Sequence, residues 1–411
     1  MKFKPNEFFS QIFCLLPVVL IVGRAPSDIF LTLVSSFFLV SYLSVKIPYF
    51  YKNNFIIFMF IFYFYLLISS AFSQFPFISL SHEGTLFYFR YIFFIIAVNY
   101  LIYVNPRLLD YFLYVSLICL CVLFFDGTLQ FISGSNILGF EKTNNRITSL
   151  MGDEEILGRY VSYISTICLI IVSNSNNIKI KKLIFLFLPP FSLYLILISG
   201  DRAPFLSYCI FLSLLFLINF EQKKFLVFGS LSFLAISILI INNSDIVKAR
   251  YDQTIRQITS TSFAIAPFSK HYEDIFRGAI SIGQENKIFG IGSSLYEKYC
   301  QDKSKIYSDL VCSSHPHNYY IQIYTENGFV GLLFLFSLYF SLIFKLLEFI
   351  YLNKIKKMKD QNKTNVIATF ALLAYLMPLI PNMSFYNNWN NVFIYIMLSF
   401  YLYFNYIKKE T

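Results

Sequence analysis

The sequence predicts an all-α polytopic membrane protein of about twelve transmembrane helices with one large extramembrane loop, and three observations carry that prediction. The chain is 57% hydrophobic and only 14% charged, against about a quarter charged in soluble chains, so most of its surface must face something other than water. Apolar runs long enough to cross a hydrocarbon layer, about 20 residues at about 1.5 Å each, recur along the whole sequence. Lysines collect in alternate connections between those runs, the pattern by which charge sets orientation in a bilayer.

The runs lie near 8–23, 27–45, 55–72, 85–104, 108–126, 156–173, 183–199, 203–219, 225–242, 328–347, 366–380 and 391–407. The first, behind Lys2 and Lys4, resembles a secretory signal, but no small-residue cleavage site follows it. Gly23, Arg24, Ala25 and Pro26 lead straight into the second run, so the first is expected to be a retained helix. With the amino terminus inside, the inner connections hold 18 basic residues and the short outer loops 4, Arg24, Lys142, Arg146 and Arg202. Both termini are therefore expected in the cytoplasm of a multi-pass membrane protein. The net charge of +10 is explained by those lysines rather than by nucleic acid, which is not expected as a partner.

The organisation that follows has an N-terminal helical set at 1–126, a first long outer loop at 127–155, a large outer loop at 243–317 between the ninth and tenth spans, and a C-terminal helical set at 328–411. The first loop carries Glu141, Arg146, Asp153, Glu154 and Glu155. Within the large loop, Asp245–Thr259 and Tyr272–Gln284 read as short amphipathic helices, and Gly290 and Gly292 mark a turn. Five cysteines, Cys14, Cys119, Cys121, Cys168 and Cys209, fall in spans, where a thiol serves as a small apolar filler. Cys300 and Cys312 share the large loop and can pair as a disulfide if it faces an oxidising compartment.

Arginine is sorted against lysine. Arg24, Arg146, Arg159, Arg202, Arg250, Arg256 and Arg277 map to the outer face, and a planar guanidinium matches phosphate oxygens two at a time. That points to a phosphate-bearing ligand, although Arg250 and Arg256 read rather as surface charge of the large loop. The histidines His82, His271, His315 and His317 map to the same face, where an imidazole can act as a general base. His315 and His317 have metal-ligand spacing, but no clustered carboxylate or cysteine completes a set, so neither a metal nor another cofactor is expected. From Asn318, Gln322 and Glu326 follow at intervals of four, one polar stripe on a helix entering the tenth span. Capping and solvation of an interfacial turn would also explain that stripe. Gly328 and Gly331 then allow close helix approach.

The element His317, Asn318, Gln322, Glu326, Gly328, Gly331 resembles the signature of the O-antigen ligases and O-antigen polymerases of bacterial envelopes. Ser199, Gly200, Asp201, Arg202, Ala203 resembles that family's short Ser/Thr-Gly-Ser-Arg-Gly turn, with Asp201 and Ala203 replacing its Ser and Gly. Phe289–Gly292 resembles its Gly-x-Gly element, and Arg146–Gly152 its earlier Arg-plus-Gly stretch. The likeness spans roughly residues 140–400. It implies a GT-C-like membrane glycosyltransferase that takes a glycan from undecaprenyl pyrophosphate at the periplasmic face of the bacterial inner membrane, in lipopolysaccharide or other polysaccharide biosynthesis. The acceptor would be lipid A core for a ligase, or a second lipid-linked glycan for a polymerase. On that basis His317 and Arg202 are the expected catalytic pair, base and pyrophosphate clamp. Arg277, Arg146, His315, Asn318, Gln322 and Glu326 are expected to bind substrate, and Gly290, Gly292, Gly328 and Gly331 to be structural. For Arg202 the competing reading is an interfacial anchor, and for Glu326 an ion pair. A lipid-linked glycan flippase or transporter, or a purely structural assembly factor, are the alternatives from other classes. Arg90, the one clear ionisable residue within a span, is the feature a transporter would need.

Overall fold

The computed structural model describes residues 5–44, 53–81, 84–143, 146–216, 224–232, 248, 252, 256, 270–305, 311–355 and 363–407. Among these the chain is helical throughout, with no strand and only two isolated bridges, in the loop before Arg146. His82, Arg250 and most of the helix expected at 245–259 lie outside the described residues.

The amino-terminal segment is α1 (Pro5–Cys14) and α2 (Leu16–Val22), followed by α3 (Arg24–Ser44). One run expected at 8–23 is thus two helices. Pro17 is the reason: a proline has no N–H to give, so a helix restarts with it in its first turn. Then come α4 (Asn54–Ala71), a single turn α5 (Pro76–Ser79), α6 (Phe89–Val104) and α7 (Leu108–Ser133). The central group is α8 (Leu157–Ser173), α9 (Ile178–Ser199) and α10 (Arg202–Leu215), with a further helical stretch at 224–232. The outer part contributes α11 (Lys270–Gly283) and α12 (Tyr296–Ser304). The chain closes with α13 (Tyr319–Ile355), α14 (Lys363–Tyr375) and α15 (Asn388–Asn405).

Among the described residues, four helices are long and apolar enough to cross a membrane: α4, α7, α9 and the Tyr319–Leu352 part of α13. Four shorter apolar helices lie at Phe89–Val104, Leu157–Ser173, Arg202–Leu215 and Thr364–Tyr375. α15 and the shorter α8 are among the most enclosed, which is what an all-round apolar helix requires. In α15 every residue from Trp389 to Phe404 is buried. In α8 every residue from Leu157 to Val172 is buried except Arg159, the one charged residue of that helix. α8 packs on α9 and α10, α14 on α10, α13 and α15, and α15 on α6 and α3. These contacts bring the 199–202 turn and the first turn of α8 into one structural group with the start of α13.

Arg90 sits in the first turn of α6, paired at 2.7 Å with Asp28 near the start of α3. It is a satisfied charge at a helix end, not an isolated one along a span.

Candidate functional site

The first part of the site is a crossing of two chain segments. α13 begins already at Tyr319, ahead of the expected span at 328, and breaks at Gly328, whose φ of 68° is left-handed. Asn318 caps it: its side-chain oxygen accepts from the N–H of Tyr320 at 3.0 Å and of Ile321 at 3.2 Å, and its amide donates to the Pro378 carbonyl. Over the break lies the segment 287–292. The Gly292 N–H donates to the Glu326 carbonyl at 2.8 Å, and the Phe329 N–H to that of Lys287 at 2.7 Å. Two backbones this close leave no room for a side chain. A Cβ on Gly290 would stand 2.3 Å from the Glu326 carbonyl carbon, and one on Gly328 2.2 Å from the Ile288 oxygen. Gly331 meets the same constraint against the Asn327 Cβ at 2.7 Å, and Gly292 against Ser73 at 2.4 Å.

Gly290 also has a φ of 73°. Gly290→Ala therefore adds strain to overlap and is expected to cost about 3 kcal/mol or more. Thermal unfolding in detergent should show a clear drop in midpoint; an unchanged midpoint would mean that the crossing is looser than described.

Glu326 holds the crossing from within. It is 1% exposed, one oxygen accepts from the Tyr296 N–H at 3.1 Å, and the other from the Gln322 amide at 3.1 Å. Gln322 is fully engaged too, donating to Ser384 Oγ at 3.0 Å and accepting from the Phe385 N–H at 2.8 Å. The stripe read from the sequence is thus a buried scaffold joining α13 to α12 and to the 384–385 turn.

The second part is the histidine segment, 311–318, which has no regular secondary structure. It is tied to α12 by a disulfide between Cys312 and Cys300. His317 has a left-handed backbone, φ 54°, and its carbonyl accepts from the Asn382 N–H at 2.7 Å. Its ring lies 4.0 Å from the His315 ring and 5.5 Å, edge on, from Tyr272 of α11. Burial pushes the His317 imidazole down from 6.5 to about 4, helped by the nearby charges of His271 and Arg159. Burial likewise takes His315 to about 3, with His317 and Arg159 adding to the effect. Both rings are therefore neutral at pH 7, with the basicity of each held down until an anion beside it favours the imidazolium. His315 Nδ1 contacts the Ser314 hydroxyl at 3.0 Å, and the ring also interacts with the Asn382 backbone.

The third part is the arginine turn. Gly200, φ 72°, ends α9 and Arg202 begins α10, so the guanidinium projects from a corner with little backbone freedom. Asp201 and Glu155 both pair with Arg146, whose Nε also donates to the Ser199 carbonyl at 3.3 Å. Arg146 is thereby a clamp on the turn. Arg202 itself is exposed and lies within electrostatic reach of Tyr272 and Arg146. Tyr272 is thus common to Arg202 and His317, the two residues expected to act together.

Arg159 enters from α8 beneath them. It donates to the Asn390 side-chain oxygen at 3.5 Å, and its charge reaches His315, His317 and Tyr319. Arg277, by contrast, pairs with Glu273 one turn back on α11, and no described interaction joins it to the histidines. Tyr272, His271 and Arg159 were not singled out as site residues by their sequence pattern. For Arg159 a signal existed, a lone charge in an otherwise uncharged run. Among the described residues no group of three or more His, Cys, Asp or Glu is placed to hold a metal ion. The arrangement sets a neutral imidazole pair within reach of Arg159, with Tyr272 between His317 and Arg202 in the electrostatic contacts.

Residues 185–336 match the profile of a family described as O-antigen ligase. The match covers the 199–203 turn, the Gly290–Gly292 element and the segment from His315 to Gly331, and stops short of Arg146 and Arg159 on the amino-terminal side. No curated protein matches the chain.

Proposed function

We propose, on the match of residues 185–336 to the O-antigen ligase family model, that the chain is a membrane glycosyltransferase moving a glycan from undecaprenyl pyrophosphate to an acceptor hydroxyl, that of lipid A core. The orientation that goes with this reading is twelve spans in the bacterial inner membrane, with both termini cytoplasmic and the 243–317 loop periplasmic. The observation that carries it is the gathering of a neutral imidazole pair and two arginines around Tyr272 and α8.

The chemistry needs little beyond what these side chains supply. The acceptor O–H proton passes to the His317 imidazole as the acceptor oxygen bonds the anomeric carbon. The bond from that carbon to the phosphate oxygen breaks, and its electron pair stays on the lipid diphosphate. That leaving group is already stable as an anion, so the enzyme's tasks are alignment and neutralisation of charge. Arg202 takes the diphosphate directly and Arg159 approaches from below. Arg146, occupied by Asp201 and Glu155, fixes the turn that carries Arg202. Asn318, Gln322 and Glu326 act through the scaffold rather than on the sugar.

A pH dependence follows from the depressed imidazoles. The base form fills above about 4, so kcat/KM, which reports the free enzyme, should be level from about pH 8 to 5.5 and fall as pH drops through about 4. In the donor complex the diphosphate charge favours imidazolium, so the acid limb of kcat should lie at higher pH than that of kcat/KM. Rate profiles on purified protein check both. Coincident limbs near pH 6.5 would mean that the base is solvent-exposed or is another group.

The second reading, a polymerase joining lipid-linked repeat units, uses the same site with another acceptor. The single large loop before the tenth span favours the ligase. Incubating purified protein with lipid-linked glycan and either lipid A core or a second lipid-linked glycan separates them, and transfer to neither would remove both. A flippase is disfavoured by the paired state of Arg90.

A further inference from the structure

We propose that the Cys300–Cys312 disulfide is a positioning element of the transfer site, a covalent brace that sets the histidine segment against α11. The proposal rests on the glycosyl-transfer reading above for its effect on rate, but not for its effect on the histidines themselves.

The histidine segment has no helix or ladder to hold it, and it carries His317 in a left-handed conformation that a non-glycine residue keeps only when its surroundings over-determine it. At its carboxyl end the determinants are the Asn318 cap and the Asn382 N–H on the His317 carbonyl. Within it the Ser313 hydroxyl donates to the His315 carbonyl. At its amino end the covalent determinant is the disulfide. Cys300, at 0% exposure, belongs to a small apolar cluster with Ala279 and Ile282 of α11, Ile291, Leu295 and Tyr296, and Cys312 packs on the same cluster. Val311 packs on Ile275 and Phe276 of α11, beside Tyr272. The bond therefore joins the segment bearing His315 and His317 to the block that Glu326 anchors through Tyr296, and to the helix that presents Tyr272.

Without the bond, the amino end would be held, among the described residues, by the packing of Val311 on α11 and a side-chain hydrogen bond between Ser313 and Tyr296. An imidazole base must be placed to a fraction of an ångström, and a misplacement of about 1 Å costs about 10²-fold in rate. The groups facing His317 are His271 and Tyr272 from α11, Arg159 from α8 and His315 from its own segment. Loosening the segment would move His317 away from His271, Tyr272 and Arg159 and into water, restoring ordinary imidazole behaviour. Such a bond persists only outside a reducing cytosol, consistent with the outward placement proposed for this loop.

The test compares full-length protein in its oxidised form, after reduction by a water-soluble phosphine, which cleaves the bond to two thiols and becomes the phosphine oxide, and as the Cys300→Ser/Cys312→Ser double variant. Diethyl pyrocarbonate, which acylates neutral imidazoles, is applied to each, and the modification rate of every histidine is read by peptide mass spectrometry. His315 and His317 are expected to react several-fold faster in both bond-free forms, while exposed His271 on α11 changes little. In parallel kcat should fall about 10- to 100-fold with the donor KM nearly unchanged, and the acid limb of kcat/KM should move up towards 6.5. Rates at His271, His315 and His317 that are the same with and without the bond, or a uniform rise that includes His271, would overturn the proposal. Should the double variant fail to elute as folded protein, the reduced wild type carries the comparison. If even the oxidised protein transfers no glycan, the functional reading falls and the modification rates alone decide the role of the bond.

Discussion

Replacing His317 by Ala is expected to reduce glycan transfer about 10³-fold, within the 10²- to 10⁴-fold range of a general base, while leaving the protein folded. The effect should appear in kcat, because the imidazole is needed when the acceptor proton moves and not when the donor binds. Folding is expected to survive because what His317 contributes to its surroundings is mainly backbone: its carbonyl takes the Asn382 N–H, and the cap of α13 comes from Asn318. The neighbouring ring sharpens the test. His315 stands 4.0 Å away and is kept neutral by burial, so residual activity should persist in His317→Ala and vanish in the double His315→Ala/His317→Ala variant. Single-turnover assays with lipid-linked donor measure both. A wild-type rate in His317→Ala would remove the imidazole from the chemistry.

Arg202→Ala is expected to lower kcat/KM about 10²- to 10³-fold, the effect of deleting one preorganised donor to developing charge, which amounts to about 3–4 kcal/mol. Arg202→Lys should recover little, because an ammonium cannot span two phosphate oxygens as a guanidinium does. The contrast with Arg146 gives the prediction its edge. Arg146 is bound by Asp201 and Glu155, so Arg146→Ala should lower thermal stability together with activity, whereas Arg202→Ala, at an exposed corner, should leave the unfolding midpoint nearly unchanged. Identical behaviour of the two variants would mean that Arg202 is an anchor rather than a ligand.

The helical character of the chain is legible in the sequence because hydrocarbon imposes its own length on every crossing; α4 lies where its apolar run predicts, while α7 continues to Ser133, past the expected end at 126, and α9 starts at Ile178, ahead of the expected 183. What was not legible came from backbone detail. The break between α1 and α2 turns on one proline inside an apolar run. The early start of α13 turns on capping by Asn318, which hydropathy does not register. At the site, the turn bearing Arg202 and the segment bearing His317 carry recognisable residues, because phosphate binding and proton transfer call for particular side chains. Glu326 is the opposite case. Its spacing places it on the face of Gln322, but only the fold shows that the Tyr296 N–H and the Gln322 amide fill its carboxylate. Arg159 was legible only as one of seven outward arginines, because its proximity to the imidazoles depends on how α8 packs against α14 and α15.

The account stands on one diphosphate lying between Arg202 and His317, and a structure of the protein with lipid-linked donor bound in a bilayer mimetic tests this directly. The prediction is a diphosphate within hydrogen-bonding distance of the Arg202 guanidinium, with the anomeric carbon turned towards the His317 ring and Tyr272 alongside. A donor seated elsewhere, with its diphosphate tens of ångströms from Arg202 or its sugar facing away from His317, would contradict it.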